Sequence, residues 1–348
     1  MTKTTKQYQD FKKEQNKIME ELFKEDCYEE ELHDYDLPPT VYDPVIPDLN
    51  TAEEYFQYYR DCTTKNKPRS ARMALRKSLS MDSENQLYIR EFAIAEYEYG
   101  KTFRSMSGTD IPEKIISCLN YIIMNNEKDS EALFYRAKTY KFTGKTDEAI
   151  KDIKSAIKLE SKNINYYEFL SEIYINKEEY NKAIETYDNI IKFETNNPKY
   201  YIKRGEVYFK SDNDEQALKD ANKALFFDSF NPYAFHLKYQ IYDKYNKNWK
   251  ALSYIERSIQ HTQNIFEREI WLAQKIDLLK KMERYEDVIE NIDIILSYDC
   301  ILQDRIYYLK QKIEILLKIH KYLPIIPAYI SLLKTKYEEY ELEKTPIY

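Results

Sequence analysis

Two Gly-Lys-Thr triplets, at residues 100–102 and 144–146, carry the residue types that hold nucleotide phosphates. A phosphate loop needs a further glycine five positions earlier, so that successive N–H groups can turn inward around the anion. Those positions hold Ala95 and Thr139, and Gly144 falls where two helical stretches meet, so the triplets read as local structure. The histidines (His33, His236, His261, His320) and the cysteines (Cys27, Cys62, Cys118, Cys300) are too far apart for zinc-ligand or disulfide-framework spacing. Reduced thiols in an intracellular, reducing compartment are expected. With 60 Asp and Glu in the chain, a pair of carboxylates singles out no acid–base couple. Neither a nucleophile elbow nor a metalloprotease helix signature occurs. The expectation is therefore a protein that is not an enzyme, with no catalytic residue, no cofactor and no metal site, and with recognition carried by surface.

The elements behind that surface follow from composition. The chain has 348 residues, 43% hydrophobic and 32% charged, with four glycines in all. So few glycines disfavour turn-rich β sandwiches and dinucleotide folds, and the Lys/Glu/Leu/Ile-rich remainder favours helices. A formal charge of −7 speaks against nucleic acid as a partner. The charge is unevenly spread: residues 25–61 hold twelve acids and one base, Arg60, whereas residues 63–80 hold six bases and no acid. Two readings stand, solvated faces or docking patches of opposite sign. No apolar run approaches the length of a membrane span, and the polar N-terminus "MTKTTKQYQDFKKEQ" lacks a secretory core. Asp10, Glu14 and the absence of arginine there weaken a mitochondrial presequence, which stays as the alternative to a cytoplasmic or cytoskeletal place.

Along the chain, residues 1–49 combine an amphipathic helix at 6–33, with Phe11 and Leu22 in its stripe, and a proline-rich extended strap. The strap carries Tyr42, Val45 and Ile46 among Pro38, Pro39, Pro44 and Pro47. It suits a linear anchor to a partner, a brace on its own chain, or a linker. Residues 50–84 read as two short helices, residues 85–305 as a repeat array, and residues 306–348 as a degenerate helical pair and tail.

The array declares itself by period. Ala149, Ala183, Ala217 and Ala251 are thirty-four residues apart, as are Tyr140, Tyr174, Tyr208 and Tyr242. Leu133, Tyr167, Tyr201 and Phe235 form a third series, and Ile150, Ile184, Leu218 and Leu252 a fourth. Within one unit, Leu133, Ala137 and Tyr140 share one face of a first helix. Ala149, Ile153, Ala156 and Ile157 share a face of a second. A hairpin of this kind cannot bury both faces alone, so copies stack.

This pattern resembles the tetratricopeptide repeat family, in frames 130–163, 164–197, 198–231, 232–265 and 269–302. Tyr239 stands where the fourth frame should have a small residue, and Val288 replaces the alanine of the fifth. The resemblance covers roughly residues 85–340 and implies an all-α, right-handed α-solenoid of helical hairpins. It also implies a concave face lined by the first helices, which here carries Phe134, Lys138, Phe142, Glu172, Ile175, Ile202, Glu206, Phe209, His236 and Gln240. Phe134 and Phe209 read equally well as packing between helices. The carboxylate clamp of chaperone adaptors is not matched: its places hold Phe134, Lys138, Phe169, Ile202 and Glu206, with one basic residue. The resemblance thus implies a non-catalytic protein–protein interaction scaffold, a structural or assembly subunit of a multi-protein complex in a cytoskeletal or ciliary setting. The alternatives are a peptide-recognition adaptor and an organellar import or assembly factor.

Overall fold

The structure, a computed structural model, describes residues 46–103, 111–298, 302–319 and 324–344. The helix expected at 6–33, most of the strap, and Phe11, Leu22, Tyr42 and Val45 lie outside these residues. Ile46 lies within them and is half-buried. Among the described residues there are sixteen α-helices and no strand. The chain divides into two compact units, residues 1–179 and 180–348.

The first unit contains α1 (Ala52–Thr64), α2 (Pro68–Met81), α3 (Gln86–Phe103), α4 (Ile111–Asn125), α5 (Ser130–Phe142), α6 (Thr146–Leu159) and α7 (Ile164–Asn176). α1 begins in a capping box: the Thr51 hydroxyl accepts from the Glu54 N–H, and the Glu54 carboxylate accepts from the Thr51 N–H. Successive helices pack as antiparallel neighbours, α1 on α2, α3 on α4 and α5 on α6. Phe56, Leu75, Leu79, Ile89, Phe92, Ile115, Leu119 and Ile122 form one core through α1–α4. The pair read as two short helices at 50–84 therefore shares its core with the hairpin that follows.

The basic run at 63–80 is neither a solvated face nor a free patch throughout. Arg72 reaches Glu96 of α3 through two hydrogen bonds, 2.6 and 3.1 Å, and Arg76 adds a third at 3.1 Å. Glu96 is buried. Burial pushes its carboxyl upward, but the two guanidiniums outweigh that cost and hold it below its usual value. Arg72 also lies over the Tyr99 ring. Charge sign along a sequence does not tell which side chains turn inward.

The second unit contains α8 (Tyr180–Phe193), α9 (Pro198–Lys210), α10 (Asp214–Phe227), α11 (Pro232–Lys244), α12 (Asn248–His261), α13 (Ile265–Lys281), α14 (Tyr285–Leu296), α15 (Leu302–Lys318) and α16 (Ile325–Lys344). Pro324 and Pro327 stand just before and within the first turn of α16, where a missing N–H costs no helical bond. In α9, Gly205 has no room for a side chain. A Cβ there would meet Leu237 Cδ2 at 2.7 Å and the Cβ of Asp220 at 3.3 Å. Tyr239, large where the pattern wants a small residue, is buried with Ala251, Trp271 and Leu272 in the core of α11–α14.

The turns repeat with the same period as the helices. Gly144, Glu178, Asp212 and Asn246 all have positive φ, and Asn66 and Glu283 repeat the turn in the outer hairpins. In each, the residue after the turn donates its N–H to a carbonyl five positions back, as from Lys145 to Tyr140, Glu179 to Tyr174, Asn213 to Tyr208 and Lys247 to Tyr242. This is the Schellman ending, which closes a first helix with one left-handed residue. Gly144 is thus a turn residue, in keeping with its lack of a phosphate loop. Asp129, Asn163, Asn197 and Asn231 stand before the first helices at the same interval, and Asp129, Asn197 and Asn231 accept from backbone N–H groups there.

Candidate protein-binding face

In the first unit, the first helices of successive hairpins bring an aromatic band together. Phe134 of α5 lies 4.9 Å from the Tyr166 ring and 5.5 Å from the Phe169 ring of α7, centroid to centroid. Tyr135 continues the band to Tyr97 of α3 at 5.9 Å. Lys138 sits within 4.4 to 5.1 Å of the Tyr135, Phe134 and Tyr97 rings, and donates to Glu98 at 3.1 Å. Its charge is therefore already met by three π-faces and a carboxylate, so it holds this face together rather than waiting as a lone clamp cation. One turn further, Lys141 pairs with Glu172 at 2.6 Å and lies over Phe169. Phe142 is 44% exposed, and Ile175 is half-buried. Phe134 packs between helices and is half-buried.

In the second unit, His236 of α11 stacks on Trp271 of α13, centroids 5.0 Å apart and planes 18° apart, and its Nε2 lies 2.7 Å from Gln274 Oε1. Burial lowers the imidazole below its ordinary value against the opposing pull of Gln274, Glu206 and Glu267. Glu206 is half-buried and accepts from Lys203 at 3.0 Å. Phe209 packs over the Ala217–Leu237 cluster with Lys244 above its ring, and Gln240 is half-buried. Ile202 is 4% exposed and belongs to the packing with Tyr201 and Ala224, so it supports the surface without reaching it.

Both units hold their first helices in place with one device that no local motif announces. Arg136 makes a two-pronged bond to Asp152, 2.6 and 2.7 Å, and reaches back to Asn120 at 2.7 Å. Thirty-four residues twice over, Arg204 grips Asp220 at 2.6 and 2.8 Å and reaches back to Asp188 at 2.5 Å. Each arginine thereby ties its own hairpin to the second helix of the one before. Among the described residues, no three His, Cys, Asp or Glu side chains converge as metal ligands. No described helix is long and apolar enough to cross a membrane.

A profile of the tetratricopeptide repeat matches residues 130–163 and 164–197, in the frames set by the Ala149 and Ala183 series. The chain is a tetratricopeptide-repeat protein. Solved structures agree at the level of fold. The C-terminal part of a TPR repeat-containing protein from Cytophaga hutchinsonii superposes with TM-score 0.56 at 16% identity, over 70% of this chain and 95% of that one. A tetratricopeptide repeat protein from Parabacteroides merdae gives TM-score 0.54 at 14% identity, over 71% and 94%. A MamA protein is 21% identical over 51% of this repeat protein and 92% of its own length, at TM-score 0.44. No curated protein matches the sequence.

Proposed function

We infer that this repeat protein is a non-catalytic scaffold that holds other proteins, as a structural or assembly subunit of a larger complex. The observation that carries this is the half-buried band of Phe134, Tyr135 and Phe169, spread over α5 and α7, backed by the buried ring of Tyr97 from α3 and set with Lys138, Lys141, Glu98 and Glu172. Aromatic anchors bordered by both charge signs suit an extended or helical protein segment, which offers apolar side chains and a polar backbone together. The protein-binding residues are accordingly Phe134, Lys138, Phe142, Glu172 and Ile175 in one unit and Glu206, Phe209, His236 and Gln240 in the other. The setting we assign is cytoskeletal or ciliary, where repeat proteins of this family are frequent. Capture of the full chain with its partners from native lysate, read by mass spectrometry, tests this. Tubulin or dynein-related chains are expected. Recovery of mitochondrial import components instead, with a shortened intact mass, would favour the organellar alternative.

A further inference from the structure

The tie of Arg136 to Asp152 and of Arg204 to Asp220 recurs incompletely in the hairpin of α11 and α12. Thirty-four residues after Arg204 stands Lys238, and thirty-four after Asp220 stands Tyr254. The backward bond survives: Lys238 donates to Asn222 of α10 at 2.9 Å, as Arg136 does to Asn120 and Arg204 to Asp188. The carboxylate does not. In the frame 164–197 the same two places hold Leu170 and Thr186, so cation and acid are absent together. The frame 232–265 keeps the cation without its acid. Rings stand there instead. Tyr254 of α12 stacks on Tyr242 of α11, centroids 5.4 Å apart and planes 7° apart, and Phe235 lies 6.4 Å from it. Lys238 Nζ is 4.5 Å from the Tyr254 centroid and Lys250 Nζ 5.5 Å from that of Tyr242. Arg257 Cζ is 5.7 Å from Phe235 and 5.9 Å from Tyr254. Lys238 is half-buried, and Lys250 and Arg257 are exposed.

Among the described residues, none of these three cations forms an ion pair. Every acid of α10, α11 and α12 is committed to another base: Asp214 to Lys244, Glu215 to Lys219, Asp220 to Arg204, Asp243 to Lys281 and Glu256 to Lys275. A ring face attracts a cation but carries no net charge, so this patch stays positive on a chain of net charge −7. It is also apart from the candidate face. Lys238 and Tyr242 follow His236 and Gln240 by two positions each, about 200° round the helix. We propose that this patch is a second docking surface, for an acidic peptide segment of a partner protein. An Asp or Glu carboxylate of that segment takes, at Lys238, the place that Asp152 and Asp220 fill from within in the other hairpins. The chain's own ties thus fix the ligand chemistry as a carboxylate, held by charge-assisted hydrogen bonds. Lys250 and Arg257, beside the same stacked rings, meet further acids of the segment. Nucleic acid is the poorer fit, because three cations on an acidic chain neutralise few phosphates.

Fluorescence anisotropy of a fluorescein-labelled acidic peptide, DEYDEYDE, titrated with the full chain up to about 200 μM tests this. Saturable binding is expected, and none for the basic peptide KRYKRYKR. Lys238→Glu should weaken it at least about tenfold, and Arg257→Gln, at an exposed site that leaves the fold intact, about threefold. The double variant Lys238→Arg/Tyr254→Asp rebuilds the closed tie of Arg204 and Asp220. It should also weaken binding at least about tenfold, with circular dichroism melts near wild type. Lys151→Glu, the same charge change at an exposed site on α6, should leave binding unchanged. Absence of saturable binding by the acidic peptide overturns the proposal. So does binding retained by both Lys238→Glu and Arg257→Gln, or binding lost equally with Lys151→Glu. An oligothymidylate that binds more tightly than the peptide, and is lost with Arg257→Gln, overturns it in favour of nucleic acid.

Discussion

Glu178 is a glutamate in a backbone conformation that favours glycine, with φ of 58°. Its counterpart one repeat earlier, Gly144, occupies that region at φ 79°, and a Cβ there would meet no atom within 4 Å. The cost of a side chain at these turns is thus torsional rather than steric. Gly144→Ala should destabilise the first unit by about 1 kcal/mol, and Glu178→Gly should add about 0.5 kcal/mol after the entropy that glycine gains when unfolded. Urea unfolding of the two variants measures both signs. Opposite shifts in midpoint are expected, and equal shifts would remove the torsional account. His236 makes a second residue-scale prediction. Its imidazole titrates lower folded than unfolded, so below the unfolded value, near pH 6.5, the unfolded chain binds the extra proton. The stability that neutral His236 contributes is therefore complete above that pH and lost as pH falls through the window beneath it. Melts at pH 7.5 and 5.0 should show a smaller acid loss in His236→Gln than in wild type.

Elements are held together by pairs that the sequence separates widely. Arg204 and Asp220 lie sixteen residues apart on α9 and α10, with Asp220 buried and Asp188 on the arginine's other side. Arg204→Met leaves buried Asp220 without its cation and should cost about 3 kcal/mol. Adding Asp220→Ala should recover at least about 1 kcal/mol of that loss, because no unpaired charge then stays buried. Chemical denaturation of the single and double variants decides it, and a double variant less stable than the single would contradict this reading. The fold was legible in the sequence because hairpin stacking repeats its demands. Small residues at Ala149, Ala183, Ala217 and Ala251 are needed wherever two helices approach, so the period shows without structure. The Arg72–Glu96 and Arg204–Asp220 ties were not legible, since a charged residue reads alike whether it faces water or a buried partner. The α1–α2 hairpin was read as a separate pair because its turn at Asn66 falls off the thirty-four-residue period counted back from Gly144, and Cys62 stands in the place of Tyr140, although Ala71 keeps the alanine.

At the scale of the molecule, the candidate face was legible in part. Positions carried over from the repeat pattern found Phe134, Lys138 and Glu172, which the structure places on or beside one aromatic band. They did not find Tyr97, Tyr135 or Trp271, whose roles arise from neighbouring hairpins rather than from a place in one repeat. Ile202 shows the reverse, a position that the pattern assigns to the surface and that packing withdraws. The central claim is that these first-helix faces, and not the segment before α1, hold the partner. The most direct measurement is capture from native lysate by three forms of the protein, wild type, the double variant Phe134→Ala/Lys138→Glu, and residues 46–348, with partners quantified by mass spectrometry. The account predicts that residues 46–348 recover the same partners as wild type, whereas the double variant, folded by circular dichroism, loses them at least tenfold. Partners retained by the double variant and lost with residues 1–45 would contradict it.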